Sequence, residues 1–498
     1  MLENLALGFD VALSLKNLLF AFLGAMIGTA IGVLPGLGPT ATISLLLPLT
    51  FGQEPVTAII MLAGIYYGAQ YGGSTTAILL NLPGEISGVV TAIEGYKMAQ
   101  QGRGGAALAT AALGSFFAGT VATFVVALSG PALTAVALSF GPPDYFSLML
   151  LGLIVACILA QGGVIKAIAM VILGVSLGLV GTDVQTGQQR FTFGVPELSD
   201  GINFVTLAMG LFGIAEILNN LENPEIRKGI VAKHGSLWLT KEEWRYAAPA
   251  AVRGTIMGTV LGILPGGGAS LSSFGSYMLE RRLTRRPERF GNGAIEGLAG
   301  PESANNAGAQ ASFIPLLTLG IPSNSVMALM TGALIIQGIQ PGPRMVEAQP
   351  ELFWGLICSM WIGNVMLLII NLPMIGIWVQ LLRVPYRFLY VGILVFCCIG
   401  AYSLNNNIFD IYVMGLFGAI GYLFAKLRME PAPLLLGFVL GPMMEEHLRR
   451  AMLLSRGDAS VFIERPISAS MLALAAIALF MMLLPNLRKK KEEAMAVG

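Results

Sequence analysis

Charge is what this 498-residue chain has least of, with only 11% Asp, Glu, Lys and Arg where an ordinary soluble protein has about 25%. A soluble fold of this size needs a charged skin. The deficit therefore excludes a soluble enzyme or a disordered scaffold and makes the bilayer the chain's main solvent. Its 29 basic and 28 acidic residues nearly cancel, so no overall field favours nucleic acid. The four cysteines, Cys157, Cys358, Cys397 and Cys398, lie in apolar runs without metal-ligand spacing. They read as small apolar residues within helices. A Walker-type phosphate loop, a zincin-type histidine pair and a nucleophile triad are all missing, so neither ATP hydrolysis by that route nor covalent catalysis is expected. Residues 1–16 carry no basic region ahead of an apolar stretch, so no cleaved signal peptide is expected.

What the chain does have is apolar surface and glycine. It is 55% apolar, with a mean hydropathy of +0.75. Its 62 glycines far exceed the usual share of about 7%, as suits membrane helices that pack closely or are interrupted. Apolar stretches of crossing length, about 17–25 residues, predict an all-α polytopic membrane protein with about 10–12 spans. Continuous ones cover 57–82, 104–128, 145–160, 164–181, 201–219, 311–337, 352–381, 388–404, 411–424, 431–444 and 467–484. Two more, 18–51 and 247–278, are interrupted, and 131–140 is too short to assign.

Lys and Arg in the loops set the orientation. Arg227, Lys228, Lys233, Lys241, Arg245 and Arg253 mark the linker 222–253 as cytoplasmic, and Arg281, Arg282, Arg285, Arg286 and Arg289 do the same for 281–289. The apolar segment between them breaks at Pro265-Gly266-Gly267-Gly268. With both flanks on one side it must turn back, as a re-entrant hairpin with its tip at 265–268. Segment 18–51 breaks at Pro35-Gly36-Leu37-Gly38, between flanks with almost no positive charge, and is expected to enter from outside. Segment 431–444 is expected to cross, which puts Arg449, Arg450, Arg456 and Arg465 outside and the charged tail 488–498 inside. An interfacial helix there exchanges the two groups.

The broken segments match each other. Residues 28–38, GTAIGVLPGLG, align without gaps with 258–268, GTVLGILPGGG, at seven of eleven positions. Further on, Gly68-Ala69-Gln70 matches Gly308-Ala309-Gln310, and each is followed by an apolar run ending in a Pro-containing turn. Two matched blocks in the same order indicate duplication. The crossings between them make the copies inverted: a first repeat at 1–221, a linker at 222–253 and a second repeat at 254–487. Interrupted helices at corresponding places in inverted repeats point to a secondary transporter and its binding site. Irregular backbone inside the hydrocarbon layer is tolerated only where protein, water or a ligand satisfies it.

On that argument the tip residues Pro35, Gly36, Gly38, Pro265, Gly266 and Gly268 are candidates for lining a substrate site. Hydroxyls just beyond the tips, on Thr40, Thr42, Ser270 and Ser272, can face a ligand or bond their own helix. The polar stretch with Ser74, Thr75 and Thr76 is either site-lining or interhelical hydrogen bonding. The stretch Glu302-Ser303-Ala304-Asn305-Asn306 is either site-lining, through Ser303, Asn305 and Asn306, or a capped helix start. Ser323-Asn324-Ser325 after Pro322 forms a third polar turn, with Ser323 and Asn324 as site candidates. Such hydroxyls and amides donate to carboxylate oxygens or ligate Na+ through oxygen, so substrate and a coupling Na+ or H+ are expected between the two hairpin tips. Asp144 and Asp183 are expected in loops, and Glu216, Glu445 and Glu446 at solvated span ends.

Four segments carry a family resemblance: GVLPGLGPT, GAQYGGSTTAILLNLPGE, GILPGGGAS and GLAGPESANNAGAQASFIPLLTLGIPSNS. Together they resemble the large membrane, or permease, subunit of the tripartite tricarboxylate transporter family, over about residues 20–340. The resemblance implies a multi-pass protein of the bacterial cell inner membrane, driven by an ion gradient (Na+ or H+) and importing citrate-like or other carboxylates. It implies two partners, a small four-span membrane subunit and a periplasmic solute-binding protein. One departure is the turn Ile321-Pro322-Ser323-Asn324-Ser325, where the family often has glycine after the proline; it bears on ligand selectivity. Two other readings stay open, a stand-alone ion-coupled organic-anion transporter and a structural membrane subunit of a larger complex. Assembly as a homodimer is also left open.

Overall fold

A computed structural model describes residues 1–160, 163–183, 185–222, 235–264, 268–381 and 386–483, with side chains at 386–389 left aside. The tip residues Pro265, Gly266 and Gly267, much of the linker and the tail 488–498 lie outside the described residues.

The chain opens with α1 (Leu2–Ala12) and α2 (Leu15–Gly32), then a turn and the short α3 (Pro39–Leu46). Next come α4 (Pro55–Leu80), α5 (Ser87–Met98), α6 (Gly104–Ala137), α7 (Pro142–Leu159) and α8 (Val164–Gly178). A two-residue hairpin of β1 (Gly181–Thr182) and β2 (Gln189–Arg190) leads to α9 (Phe204–Ala208) and α10 (Ala215–Glu222), which a π-helical turn joins. Beyond the linker run α11 (Lys241–Gly262), α12 (Gly268–Leu283), α13 (Glu296–Ala311), α14 (Phe313–Leu319) and α15 (Ser325–Ile336). The remainder is α16 (Met345–Ala348), α17 (Pro350–Asn371), α18 (Ile375–Leu381), α19 (Tyr386–Asn405), α20 (Ile408–Lys426), α21 (Ala432–Leu454), α22 (Val461–Glu464) and α23 (Pro466–Leu483).

Local chemistry sets these boundaries. Proline opens α3, α4, α7 and α17, at a position whose N–H has no intrahelical partner anyway. Asn203, Asn324 and Asn407 cap α9, α15 and α20 through their side chains. Asn81 and Gly320, both left-handed at φ 59° and 75°, end α4 and α14.

This is an all-α polytopic membrane protein. Among the described residues six helices are long and apolar enough to cross a bilayer, and five shorter helices are apolar too. Several stretches differ from the sequence expectation. Most of the unassigned 131–140 belongs to α6, which runs on through Pro131 to Ala137. The expected single span 311–337 is divided into α14 and α15, because Gly320 ends one helix and the Pro322 turn precedes the other. The polar stretch 302–306 lies in the middle of α13, not at a helix start. Asp144 is not in a loop: the two prolines before it start α7 early, and it is fully buried.

Backbone packs on backbone along two glycine rows. A Cβ on Gly24, Gly28 or Gly32 of α2 would lie 2.3–2.4 Å from the carbonyl oxygens of Met61, Ile65 and Ala69 on α4. On α11, a Cβ at Gly254, Gly258 or Gly262 would lie 2.1–2.5 Å from those of Gly300, Ala304 and Gly308 on α13. This is small-residue packing of membrane helices. Matching the two rows pairs Ala69 with Gly308, one residue from the Gly68/Gly308 pairing of the sequence alignment. Packing register follows the carbonyl each glycine meets, which residue identity does not record. Both partner helices are interior: all of α13 and nearly all of α4 is buried.

Polar contacts define two ends of the molecule. At one, Lys426 pairs with Glu222, and Lys166 donates to Leu427 O at 2.6 Å. At the other, Asp183 and Glu445 share Arg190 and Arg449, and Asp144 binds Arg465 at 2.6 Å. Helix α8 runs from Lys166 at the first end towards Asp183 at the second. Helix α21 lies alongside it in the same direction, with Gly174 against Leu434 and Gly178 against Phe438. It therefore joins the two ends and carries Arg449 to the end opposite Lys426.

Candidate functional site

Two polar places stand out in the interior among the described residues. The larger is a cavity of about 210 Å³ lined by, among others, Thr40, Glu85, Gly268, Ser270, Asn324 and Ser325. These residues belong to helix starts. Thr40 is the second residue of α3, Gly268 and Ser270 open α12, and Asn324 and Ser325 cap and begin α15. Ala432 and Pro433, the first two residues of α21, line the same cavity. Four helices, each of eight residues or more, thus aim their N-terminal ends at one space. The first turn of a helix carries unbonded N–H groups and about half a positive charge. Gathered N-termini are therefore an anion-binding environment.

Side chains fasten this arrangement. The Thr40 and Ser325 hydroxyls lie 3.0 Å apart. Asn324 accepts from Met327 N–H at 2.9 Å and lies beside Gly268. Gly268 is left-handed at φ 43°, a conformation glycine takes without strain.

The smaller place is a void of about 10 Å³ lined by Tyr71, Ser74, Thr75, Ser115, Glu302 and Asn371 among others. Glu302, fully buried, accepts from Ser74 Oγ at 3.0 and 2.9 Å, from Thr91 Oγ1 and from Ser115 Oγ at 3.5 Å. Asn306 donates to Ser115 Oγ at 2.6 Å and to Glu302 O at 3.2 Å. Among the described residues no cationic side chain pairs with Glu302. Asn305, one turn along α13 from Glu302, donates its Nδ2 at 3.4 Å to Glu85 on the wall of the larger cavity.

The residues singled out from sequence thus divide. Thr40, Gly268, Ser270 and Asn324 meet at the larger cavity, and Ser74, Thr75 and Asn306 gather around Glu302. Thr76 donates to Val33 O at 2.7 Å, satisfying a carbonyl beyond the end of α2. Gly36, left-handed at φ 85°, packs on Asn220, and Gly38 packs on the Gly84 carbonyl. With Pro35 they form the turn between α2 and α3. Ser323 bonds Ser312 O at 3.4 Å, while Ser303 is buried with no hydrogen-bond partner for its hydroxyl. Pro265 and Gly266 lie outside the described residues. Sequence reasoning passed over Glu85, Thr91, Ser115 and Asn371, and it named Ser325 in the polar turn without counting it as a site residue. It also left Glu302 out of the site, although an uncompensated carboxylate inside a membrane chain is itself a functional signal.

A polar interior enclosed by apolar helices, with helix N-termini converging on a cavity, defines a membrane permease. The chain belongs to the tripartite tricarboxylate transporter TctA family, whose model matches residues 18–436. It is therefore the membrane component of a tricarboxylate transporter. A protein of Agrobacterium vitis, described as an uncharacterized 52.8 kDa protein in the TAR-I ttuC' 3' region, is 58% identical over 493 residues, 99% of this chain and 98% of that protein. Another, in the TAR-II ttuC' 3' region of the same organism, is 59% identical over 236 residues, 47% of this chain and 98% of its own length. No solved structure matches the chain.

Proposed function

We propose that the chain is the permease of an ion-coupled secondary importer that takes carboxylates from a periplasmic solute-binding protein and works beside a small four-span subunit in the bacterial inner membrane. The observation that carries this reading is the convergence of α3, α12, α15 and α21 on the 210 Å³ cavity. Carboxylate oxygens accept hydrogen bonds, and the N–H groups and hydroxyls at those helix starts donate them. Glu85 stands on the same wall and repels an anion unless a cation or proton accompanies it, which supports coupling to Na+ or H+.

Helices α2–α3 and α11–α12 are the two re-entrant hairpins of inverted repeats in this reading. Support comes from the recurring glycine contacts and from α12 running back beside α11, where Arg253 and Glu280 pair at 2.6 Å. Alternating access then exposes the cavity to each end in turn. The test is uptake of di- and tricarboxylates into proteoliposomes supplied with the binding protein, with Na+ and pH gradients imposed separately. Accumulation of carboxylates driven by one gradient is expected. Transport of amines or sugars alone overturns the reading.

A further inference from the structure

We infer that the void beside Glu302 is a binding site for one dehydrated Na+ ion, held by oxygen atoms of α4, α6, α13 and α17. This deepens the proposed function, since it rests on ion-coupled import and gives the ion a place. Glu302 is a buried carboxylate whose four hydrogen bonds all come from hydroxyls. Hydroxyls stabilise a charge without cancelling it, and an ionised group away from water needs a counter-charge. The buried Glu280 has one in Arg253, and the buried Asp144 has one in Arg465. Glu94, also fully buried, has three backbone N–H groups and the Tyr277 hydroxyl fixed on it. Glu302 has neither arrangement.

A second, independent observation points into the same void. Asn371, 5% exposed and part of the lining, gives its Nδ2 to Leu367 O at 2.9 Å and leaves Oδ1 without a partner. A buried amide oxygen without a donor is costly, and a cation is the ligand that repays it. The lining then offers the Glu302 carboxylate, the Ser74, Thr75 and Ser115 hydroxyls and the Asn371 carbonyl oxygen. Oxygen donors with a single carboxylate suit a hard monovalent cation. The volume of about 10 Å³ is room for one water-sized particle, so a K+ ion is a poor fit. Helix α13 carries both Glu302 and Asn305, whose Nδ2 bonds Glu85 on the wall of the larger cavity, so an ion at Glu302 acts on the helix that also meets that cavity.

The experiment is binding of ²²Na+ to the purified full-length protein without substrate, alongside thermal unfolding in NaCl, KCl and choline chloride at equal ionic strength. Wild-type protein is expected to bind Na+ and to unfold at higher temperature in NaCl alone. Glu302→Gln should abolish both effects. Asn371→Ala removes an oxygen that holds nothing in the fold, and should weaken Na+ roughly tenfold or more, the scale on which groups supporting a metal act. Equal stabilisation by Na+ and choline overturns the inference, as does undiminished ²²Na+ binding by both variants. So does Glu302-dependent proton uptake without ²²Na+ binding, which assigns the carboxylate to H+. Sodium binding in a protein that imports no carboxylate leaves the site standing and removes the transport reading. Carboxylate import without Na+ binding does the reverse.

Discussion

The hydroxyls of Thr40 and Ser325 lie 3.0 Å apart across 285 residues of chain. Each stands in the first turn of its helix, α3 or α15, so the bond fixes how two N-terminal ends face one cavity. Thr40→Val and Ser325→Ala are each expected to slow carboxylate uptake roughly 2- to 10-fold, the kinetic equivalent of losing about 0.5–1.5 kcal/mol of hydrogen bonding. Because they remove the same bond, the double variant should be no slower than the worse single one. Initial uptake rates in proteoliposomes check this, and multiplied defects would show that the two hydroxyls act separately.

Asp183 lies beyond the C-terminal end of α8, in the loop that Arg190 and Arg449 tie to α21. Desolvation pushes its carboxyl up, but the Gln185 N–H, the Thr186 hydroxyl and the two guanidinium groups outweigh this and hold it well below the usual carboxylate range. A depressed folded-state pKa gives stability that is complete above the unfolded value, about 3.9, and is lost as pH falls through the folded value. The difference in melting temperature between wild type and Asp183→Asn should therefore be constant from about pH 5 to 8 and shrink below about pH 4. Thermal unfolding across that range measures it, and a gap that widens in acid would contradict the sign.

Much of this architecture is legible in the sequence because it rests on local rules. The Pro-Gly breaks at 35–38 and 265–268, the repeat of the block 28–38 and the sparse charge point to an interrupted, polytopic fold without any contact being known. Thr40, Ser270 and Asn324 were found because polar residues beside helix breaks are rare in apolar sequence. Glu302 was quoted within its motif and still missed as a site. Its partners Ser74, Thr91 and Ser115 come from three other helices, and each alone is an ordinary membrane-helix hydroxyl. Only folding makes them a cage. The start of α21 was missed at the cavity for a similar reason: Pro431 reads as the beginning of one more span, and nothing local shows which way its end points.

Glu94 on α5 accepts from Tyr277 Oη, Gly293 N and Ala294 N at 2.8 Å and from Gly291 N at 2.5 Å. It thereby organises the turn that leads into α13, the helix carrying Glu302. Glu94→Ala leaves these donors unsatisfied, at about 1–3 kcal/mol for each one that stays buried. A total loss of roughly 3 kcal/mol or more is expected, since such terms do not simply add. The check is the yield of monodisperse protein together with its melting temperature. A variant that melts with wild type would mean that water or the backbone replaces the carboxylate.

The two glycine rows make the sharpest prediction, because the structure supplies its own control. A Cβ at Gly258 would lie 2.3 Å from Ala304 O, a backbone atom on a buried helix that cannot swing aside. Gly258→Val must push α11 off α13, at a cost above the roughly 1–3 kcal/mol usual for overpacking. Gly152, inside α7, has nothing within 4 Å of such a Cβ. Gly152→Ala should therefore be neutral or stabilising, by up to about 1 kcal/mol, through the smaller entropy lost on folding. Thermal unfolding of both variants in one detergent tests the contrast. Equal tolerance at the two positions would mean that α11 and α13 do not pack backbone to backbone. The proposed repeat would then lose its packing support, the register shared by Gly28 on Ile65 and Gly258 on Ala304.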